Sequence, residues 1–115
     1  METPETPKVV AIVSDLIFSS KIMGAARAVG IDARTIRQAS QLPESAPRLL
    51  LVDLSLPGVI DSIQSWRQTH AVKTIGFASH VDAPTIDAAR EAGMLVMARS
   101  GFVEALPKLL EDAKA

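Results

Sequence analysis

Carboxylates and hydroxyls follow the apolar runs of this sequence, at the points where the predicted strands end. Asp15 follows the apolar run at residues 9–13 with Ser14 between them, and Asp53 comes directly after the run at residues 49–52. Neighbouring parallel strands end at one edge of a sheet, so these two carboxylates are expected to converge. A convergent pair suits a hard cation such as Mg²⁺, which prefers oxygen ligands. The alternative is that each aspartate caps the turn or helix that follows it. The other polar or small residues at these strand ends are Ser14, Ala78, Ser79, Arg99 and Ser100.

Short apolar runs predict the strands that position these side chains. Four runs, at residues 9–13, 49–52, 74–78 and 94–98, show no alternation of polar and apolar residues. This pattern is typical of parallel strands that are covered on both faces. The run at residues 31–36 is more polar, which favours a strand at the edge of the sheet.

The segments between the runs predict helices. Phe18, Ile22, Ala25 and Val29 lie on one face of a helix that ends at Gly30. The third helical segment carries an apolar stripe of Val59, Ile63, Trp66 and His70. This pattern predicts that Trp66 is a core residue.

Capping residues predict where the later helices begin and end. Asp82 is expected to cap the fourth helical segment, with Gly93 just past its end. Ser100 is expected to cap the last helix, which runs to about Ala113 and is open to bending or delay by Pro107. Residues 37–47 contain two prolines and predict a short or irregular helix.

The alternation of strands and helices predicts an α/β fold. Five such units give a flavodoxin-like three-layer sandwich, with a five-stranded parallel sheet of order 2-1-3-4-5 and helices on both faces. We expect one domain over residues 8–115, preceded by a disordered acidic and proline-rich tail over residues 1–7.

Composition excludes several classes of function. The chain of 115 residues has no cysteine, which excludes disulfide scaffolds and thiol catalysis, and its net charge of -1 argues against nucleic-acid binding. No apolar stretch approaches the roughly 18–20 residues of a membrane span. There is no basic, apolar signal at the N-terminus, so we expect a cytoplasmic protein.

One segment carries the resemblance to a known family. Residues 49–58 read Leu-Leu-Leu-Val-Asp-Leu-Ser-Leu-Pro-Gly, an apolar strand that ends in an aspartate with a proline four residues later. Together with Glu91-Ala92-Gly93 and Phe102, this segment resembles the receiver domain of bacterial two-component response regulators over residues 8–113.

The resemblance implies a phosphorylation site and a metal site. Asp53 matches the residue that accepts a phosphoryl group from a histidine kinase. Asp15, Asp53 and the carbonyl of Ser55 match the Mg²⁺ ligands. The chain departs from the family at the remaining pocket positions. Ser14 replaces an acidic residue, and Met97 replaces the aromatic residue that switches on activation. Ala78 replaces a Ser/Thr, with Ser79 one residue later, and Ser100 replaces a Lys, with Arg99 one residue earlier.

These departures indicate that the phosphorylation switch is weakened or lost. Ala78 cannot donate a hydrogen bond to a phosphoryl oxygen. Arg99 could replace the lysine in charge, but neighbouring strand residues point to opposite faces, so a strand-end bulge would have to redirect it.

Three interpretations follow. The first is a stand-alone receiver-like domain with a degenerate pocket, which signals through protein contacts and needs no cofactor. The second is a working, Mg²⁺-dependent receiver that accepts a phosphoryl group on Asp53, its one enzyme-like step being self-phosphorylation. The third is a small-ligand binder, although Ser55 replaces the histidine of cobalamin-binding domains and no glycine-rich phosphate loop follows the first strand.

The expected partners are proteins. A separate kinase or output protein would carry the signal, and a homodimer could form through the fourth and fifth strands and the last two helices. Neither nucleic acid nor a membrane is expected as a partner.

Overall fold

The computed structural model describes residues 6–78 and 83–114 and contains five strands and four α-helices in them. Their order is β1 Val9–Ile12, α1 Leu16–Val29, β2 Ala33–Ile36, a 3₁₀ turn Ala39–Gln41, β3 Leu49–Asp53, α2 Val59–Arg67, β4 Lys73–Ala78, α3 Ala83–Glu91, β5 Leu95–Ala98 and α4 Arg99–Lys114. The predicted cap at Asp82 and the tail over residues 1–5 lie outside the described residues, whereas Pro7 is described and buried.

The strands form one parallel sheet of order β2-β1-β3-β4-β5, which confirms the predicted topology. In its centre, Ile12 of β1 pairs with Val52 of β3, and Asp53 pairs with Phe77 of β4. β1 and β3 are buried along their whole length, as their continuous apolar sequences predict. The more polar β2 lies at one edge, as predicted.

Alternate residues of the strands face two separate cores. On one face, α1 and α4 pack over β1, β3 and β4, with Phe18, Ile22, Phe102, Leu106 and Leu110 among the buried residues. The other face is covered by α2, α3 and the 3₁₀ turn. The sheet is therefore the middle layer of three, as predicted.

The helix between β2 and β3 is reduced to the 3₁₀ turn Ala39–Gln41. This result confirms the expectation of a short element over residues 37–47, and it means that the described residues hold four α-helices and not five. A side chain near the C-terminal end of α2 holds this segment in place: Trp66 Nε1 donates a hydrogen bond to the Pro43 carbonyl at 3.0 Å. Trp66 itself is half-buried against the second core.

One expectation about the last helix was wrong. Ser100 does not cap it, because β5 passes directly into α4 and the helix begins at Arg99, which leaves Ser100 in the first turn. Pro107 lies inside the helix without delaying its start or ending it, and its ring is on the exposed side. The helix runs to Lys114, close to the predicted end.

The far edge of the sheet is less covered than its sequence suggests. Leu95 of β5 is 50 % exposed, although the apolar run at residues 94–98 predicts a buried strand. An edge strand has a neighbour on one side only, which explains the difference. None of the described helices combines the length and the apolar character that a membrane crossing requires.

Candidate functional site

Asp53 lies at the carboxyl end of β3 and is only 5 % exposed. One of its oxygens, Oδ1, accepts two hydrogen bonds from Ser55: one from the backbone N–H at 3.0 Å and one from the hydroxyl at 2.6 Å. No residue in the described part of the chain donates a hydrogen bond to the other oxygen, Oδ2. The local turn thus fixes the orientation of the carboxylate and leaves one oxygen for chemistry or for water.

Asp15 caps α1, as the capping interpretation of the sequence predicts. Its Oδ1 accepts hydrogen bonds from the backbone N–H groups of Ile17 at 2.9 Å and Phe18 at 3.3 Å. A cap of this kind satisfies donors that the first turn of a helix leaves unpaired. One carboxylate oxygen of Asp15 is therefore committed to the backbone.

The second oxygen of Asp15 is engaged by Arg99. The distance from Arg99 Nη2 to Asp15 Oδ2 is 3.4 Å, and the two side chains are 34 % and 42 % exposed. The Arg99 guanidinium also lies over the Phe18 ring, 4.3 Å from its centroid. Both contacts direct the cation towards the start of α1.

The position of Arg99 corrects the argument from strand alternation. Arg99 is the first residue of α4, so the alternating directions of strand side chains do not apply to it. Because α4 lies beside α1 on the same face of the sheet, Arg99 reaches Asp15 without a redirected strand end. It does not form an ion pair with Asp53.

Three phenylalanines form the floor of this region. The Phe77 centroid lies 4.9 Å from that of Phe18 and 4.5 Å from that of Phe102, with nearly parallel rings. Phe77 is also the register partner of Asp53, and its carbonyl accepts a hydrogen bond from Leu54 N–H at 3.0 Å. The sequence predicted that Phe18 lies on the apolar face of the first helix, but the convergence of Phe18 and Phe102 on Phe77 required the packing of α1 against α4.

The other predicted site residues contribute little to this arrangement. Ser14 and Ser100 are exposed, and Ala78 is the half-buried last residue of β4, paired with Ala98. Ser79 lies outside the described residues. The structure thus brings together Asp15 with Arg99 and Asp53 with Ser55, as two pairs at one edge of the sheet. The Arg99 contact was missed because the sequence places this residue at a strand end.

These residues do not match the Mg²⁺ ligand set that the family resemblance implies. Ser14 is neutral, and Asp15 is engaged at both of its oxygens. Within residues 6–78 and 83–114, no three His, Cys, Asp or Glu side chains are grouped so that they could hold a metal ion.

Two grooves flank the loop that joins β3 to α2. One, of about 450 Å³, lies between this loop and α3, and the other, of about 380 Å³, lies between the loop and the segment around the 3₁₀ turn. Leu56, Pro57 and Val59 contribute to both. Neither groove is lined by Asp15, Asp53 or Arg99, but Ser55, the hydrogen-bond partner of Asp53, lines the groove beside α3.

The comparisons with known proteins concern the fold. No protein-family model and no curated protein sequence matches the chain. Solved structures do match: a response regulator from Thermotoga maritima has a TM-score of 0.75 at 16 % identity, with 95 % of this chain and 98 % of that chain covered. A response regulator receiver protein from Burkholderia phymatum has a TM-score of 0.69 at 24 % identity, with 91 % and 95 % covered.

A further match is the structure of a phosphorylated response regulator. This is the phosphorylated cyanobacterial phytochrome response regulator RcpA, with a TM-score of 0.71 at 15 % identity and coverage of 96 % of this chain and 92 % of that one. All three matches span nearly the whole of both chains, and the strand order is the predicted one. The chain therefore has the fold of response regulator receiver domains.

Proposed function

We propose that this chain is a receiver-like signalling domain whose phosphorylation pocket is degenerate and which acts mainly through contacts with other proteins. The receiver fold supports the signalling role. The observation that carries the degenerate pocket is the state of Asp15, which is held by the α1 backbone through Oδ1 and by Arg99 through Oδ2.

The environment of Asp53 supports the same proposal. A phosphoryl group there would carry nearly two negative charges and three acceptor oxygens. Arg99 is paired with Asp15, and Ala78 has no side-chain donor. Ser55 donates both of its hydrogen bonds to Asp53 Oδ1, so it is not placed to hold a phosphoryl group on Oδ2. Phosphoryl transfer depends mainly on positioning and charge stabilisation, and the described residues supply little of either.

A phospho-accepting receiver is the second candidate, and one observation favours it. Asp53 Oδ2 has no donor among the residues that the structure describes, so this oxygen is available as a nucleophile. Arg99 would then have to turn from Asp15 towards the phosphoryl group. Such a turn would cost the exposed ion pair, worth about 0–1 kcal/mol, and the cation–π contact with Phe18, worth about 0.5–1 kcal/mol more.

Intact-mass measurement after incubation with acetyl phosphate and Mg²⁺ separates the two candidates. The degenerate pocket predicts no stable phosphoryl adduct on Asp53, with the same spectrum for wild type and Asp53→Asn. An adduct that forms on wild type and is lost in Asp53→Asn would establish the second candidate. Equal labelling of both proteins would place the modification elsewhere and count against the second candidate.

Exposed apolar side chains support a role in protein contacts. Leu16 and Ile17, the first residues of α1, are 71 % and 74 % exposed beside Asp15. A kinase or a separate output protein could dock on this edge. The surface formed by β4, α3, β5 and α4, with exposed Leu95, is the alternative, and it would join two copies of the chain.

The mass of the protein in solution, measured by light scattering, tests the second surface. A concentration-dependent dimer that Leu95→Ser weakens and Leu16→Ser leaves intact would support the surface around β5. A monomer at all concentrations would leave the edge at α1 as the proposed contact.

A further inference from the structure

We propose that the Arg99 guanidinium takes the place of the divalent cation in this pocket. The positive charge at Asp15 then comes from the chain itself, and the pocket does not bind Mg²⁺. The inference rests on the proposed degenerate pocket and names the Arg99–Asp15 pair as the reason that the pocket takes no metal ion. It concerns the residues that replace a metal, and it can be tested without any phosphodonor.

The first step is the charge at the pocket. A metal site at this edge would draw on Asp15 and Asp53, with Ser14 supplying no charge. Arg99 brings one positive charge to within 3.4 Å of Asp15 Oδ2. A carboxylate with a guanidinium at this distance already has the opposite charge that a cation would bring, so a metal must displace Arg99 to use Asp15.

The second step is the restraint on Arg99. The guanidinium lies 4.3 Å above the Phe18 ring, and Phe18 is packed against Phe77 and Phe102. The backbone of Arg99 belongs to α4, whose residue Phe102 is fully buried. Cation–π contact and helix position both hold the guanidinium at the start of α1.

The third step is the restraint on Asp15. Its Oδ1 caps the N–H groups of Ile17 and Phe18, so the carboxylate cannot turn towards Asp53 without uncapping α1. The pair therefore resists metal binding from both sides: Asp15 is fixed by the helix, and Arg99 is fixed by Phe18. The negative charge of Asp15 is therefore balanced by Arg99 without a metal ion.

Mn²⁺ alone, added to the full chain and observed by amide NMR, tests this inference. Bound Mn²⁺ broadens the signals of nearby amides, so a site at the pocket would bleach Ser14, Asp15, Leu54 and Ser55 first. We expect no selective broadening in wild type. In Arg99→Ala we expect selective broadening, with affinity for Mn²⁺ raised by roughly tenfold or more.

Matched variants keep the test informative. Arg99→Lys retains a cation and should remain free of selective broadening, whereas Arg99→Gln should behave like Arg99→Ala and replaces it if the alanine variant does not fold. Adding Asp15→Asn to Arg99→Ala should abolish the selective broadening, because asparagine caps the helix but offers no charge.

Two results would overturn the inference: selective broadening in wild type equal to that in Arg99→Ala, or none in any Arg99 variant that keeps a dispersed spectrum. Its failure is distinct from failure of the proposed function. Wild type that binds Mn²⁺ but takes no phosphoryl group contradicts the proposed role of Arg99 alone. Wild type that is phosphorylated on Asp53 without selective Mn²⁺ broadening contradicts the degenerate pocket alone.

Discussion

The guanidinium of Arg99 lies 3.4 Å from the carboxylate of Asp15, which joins the first residue of α4 to the cap of α1 at the carboxyl edge of the sheet. Eighty-four positions separate the two residues in the chain. The pair therefore depends on the packing of the two helices and is not a local contact. Two residues that the sequence placed in the pocket thus connect α1 to α4.

Arg99→Ala should lower the free energy of unfolding by about 0.5–2 kcal/mol, since it removes an exposed ion pair and a cation–π contact. Urea denaturation measures this change. Lys108→Ala is the control, because the Lys108–Asp112 pair is similarly long, 3.5 Å, but lies within one exposed helix face. Its loss should cost at most about 0.5 kcal/mol. Equal losses in the two variants would show that Arg99 links nothing beyond its own helix.

Asp15→Ala should destabilise the domain more than Asp15→Asn does. Alanine removes both the cap and the ion pair, whereas asparagine keeps an oxygen that accepts from the Ile17 and Phe18 N–H groups. Loss of a cap costs about 1 kcal/mol, which sets the expected difference in unfolding free energy between the variants. Identical stabilities would mean that the cap contributes nothing.

Gly76→Ala should destabilise the domain by about 1–3 kcal/mol through overpacking. A Cβ at Gly76 would lie 2.9 Å from Cγ, Cδ1 and Cδ2 of Leu54, the residue after Asp53. Gly24→Ala is the matched control, since nothing lies within 4 Å of its Cβ and the position is inside α1. That change should stabilise the domain by about 0.5–1 kcal/mol. Thermal unfolding of both variants measures the contrast, and a stabilised Gly76→Ala would contradict the packing of Leu54 against β4.

His70→Ala should loosen the segment that carries the 3₁₀ turn. The imidazole stacks on Trp66 with centroids 4.2 Å apart, and its Nε2 lies 2.6 Å from the Glu44 carbonyl oxygen. Loss of the stack and of this contact should cost about 1–2 kcal/mol. Trp66 is the single tryptophan of the chain, so its fluorescence reports on this region directly. An unchanged emission spectrum would show that His70 does not position Trp66.

The sequence was sufficient for the sheet but not for the site. Continuous apolar runs predict β1 and β3, a polar run predicts the edge strand β2, and Gly30 marks the end of α1 with a φ of 84°. These features are local and arise from burial and backbone geometry. The charged contacts of Arg99 are not local, because they require α4 to lie beside α1.

Two of the errors arise at the junction between β5 and α4, and the third arises at the edge of the sheet. Ser100 was expected to cap the last helix on its residue type, but β5 leads into α4 without an intervening residue. The direction of the Arg99 side chain was argued from strand alternation, but β5 ends at Ala98, so Arg99 is not a strand residue. Leu95 was expected to be buried from its apolar neighbours, yet the edge of the sheet leaves it half exposed.

The amide NMR response to acetyl phosphate with Mg²⁺, compared between wild type and Asp53→Asn, tests the central claim most directly. A degenerate pocket predicts that the signals of Leu54, Ser55 and Arg99 stay in place in wild type, as they do in Asp53→Asn. Shifts of these signals in wild type that are absent from Asp53→Asn, accompanied by a phosphoryl adduct on Asp53, would contradict the account.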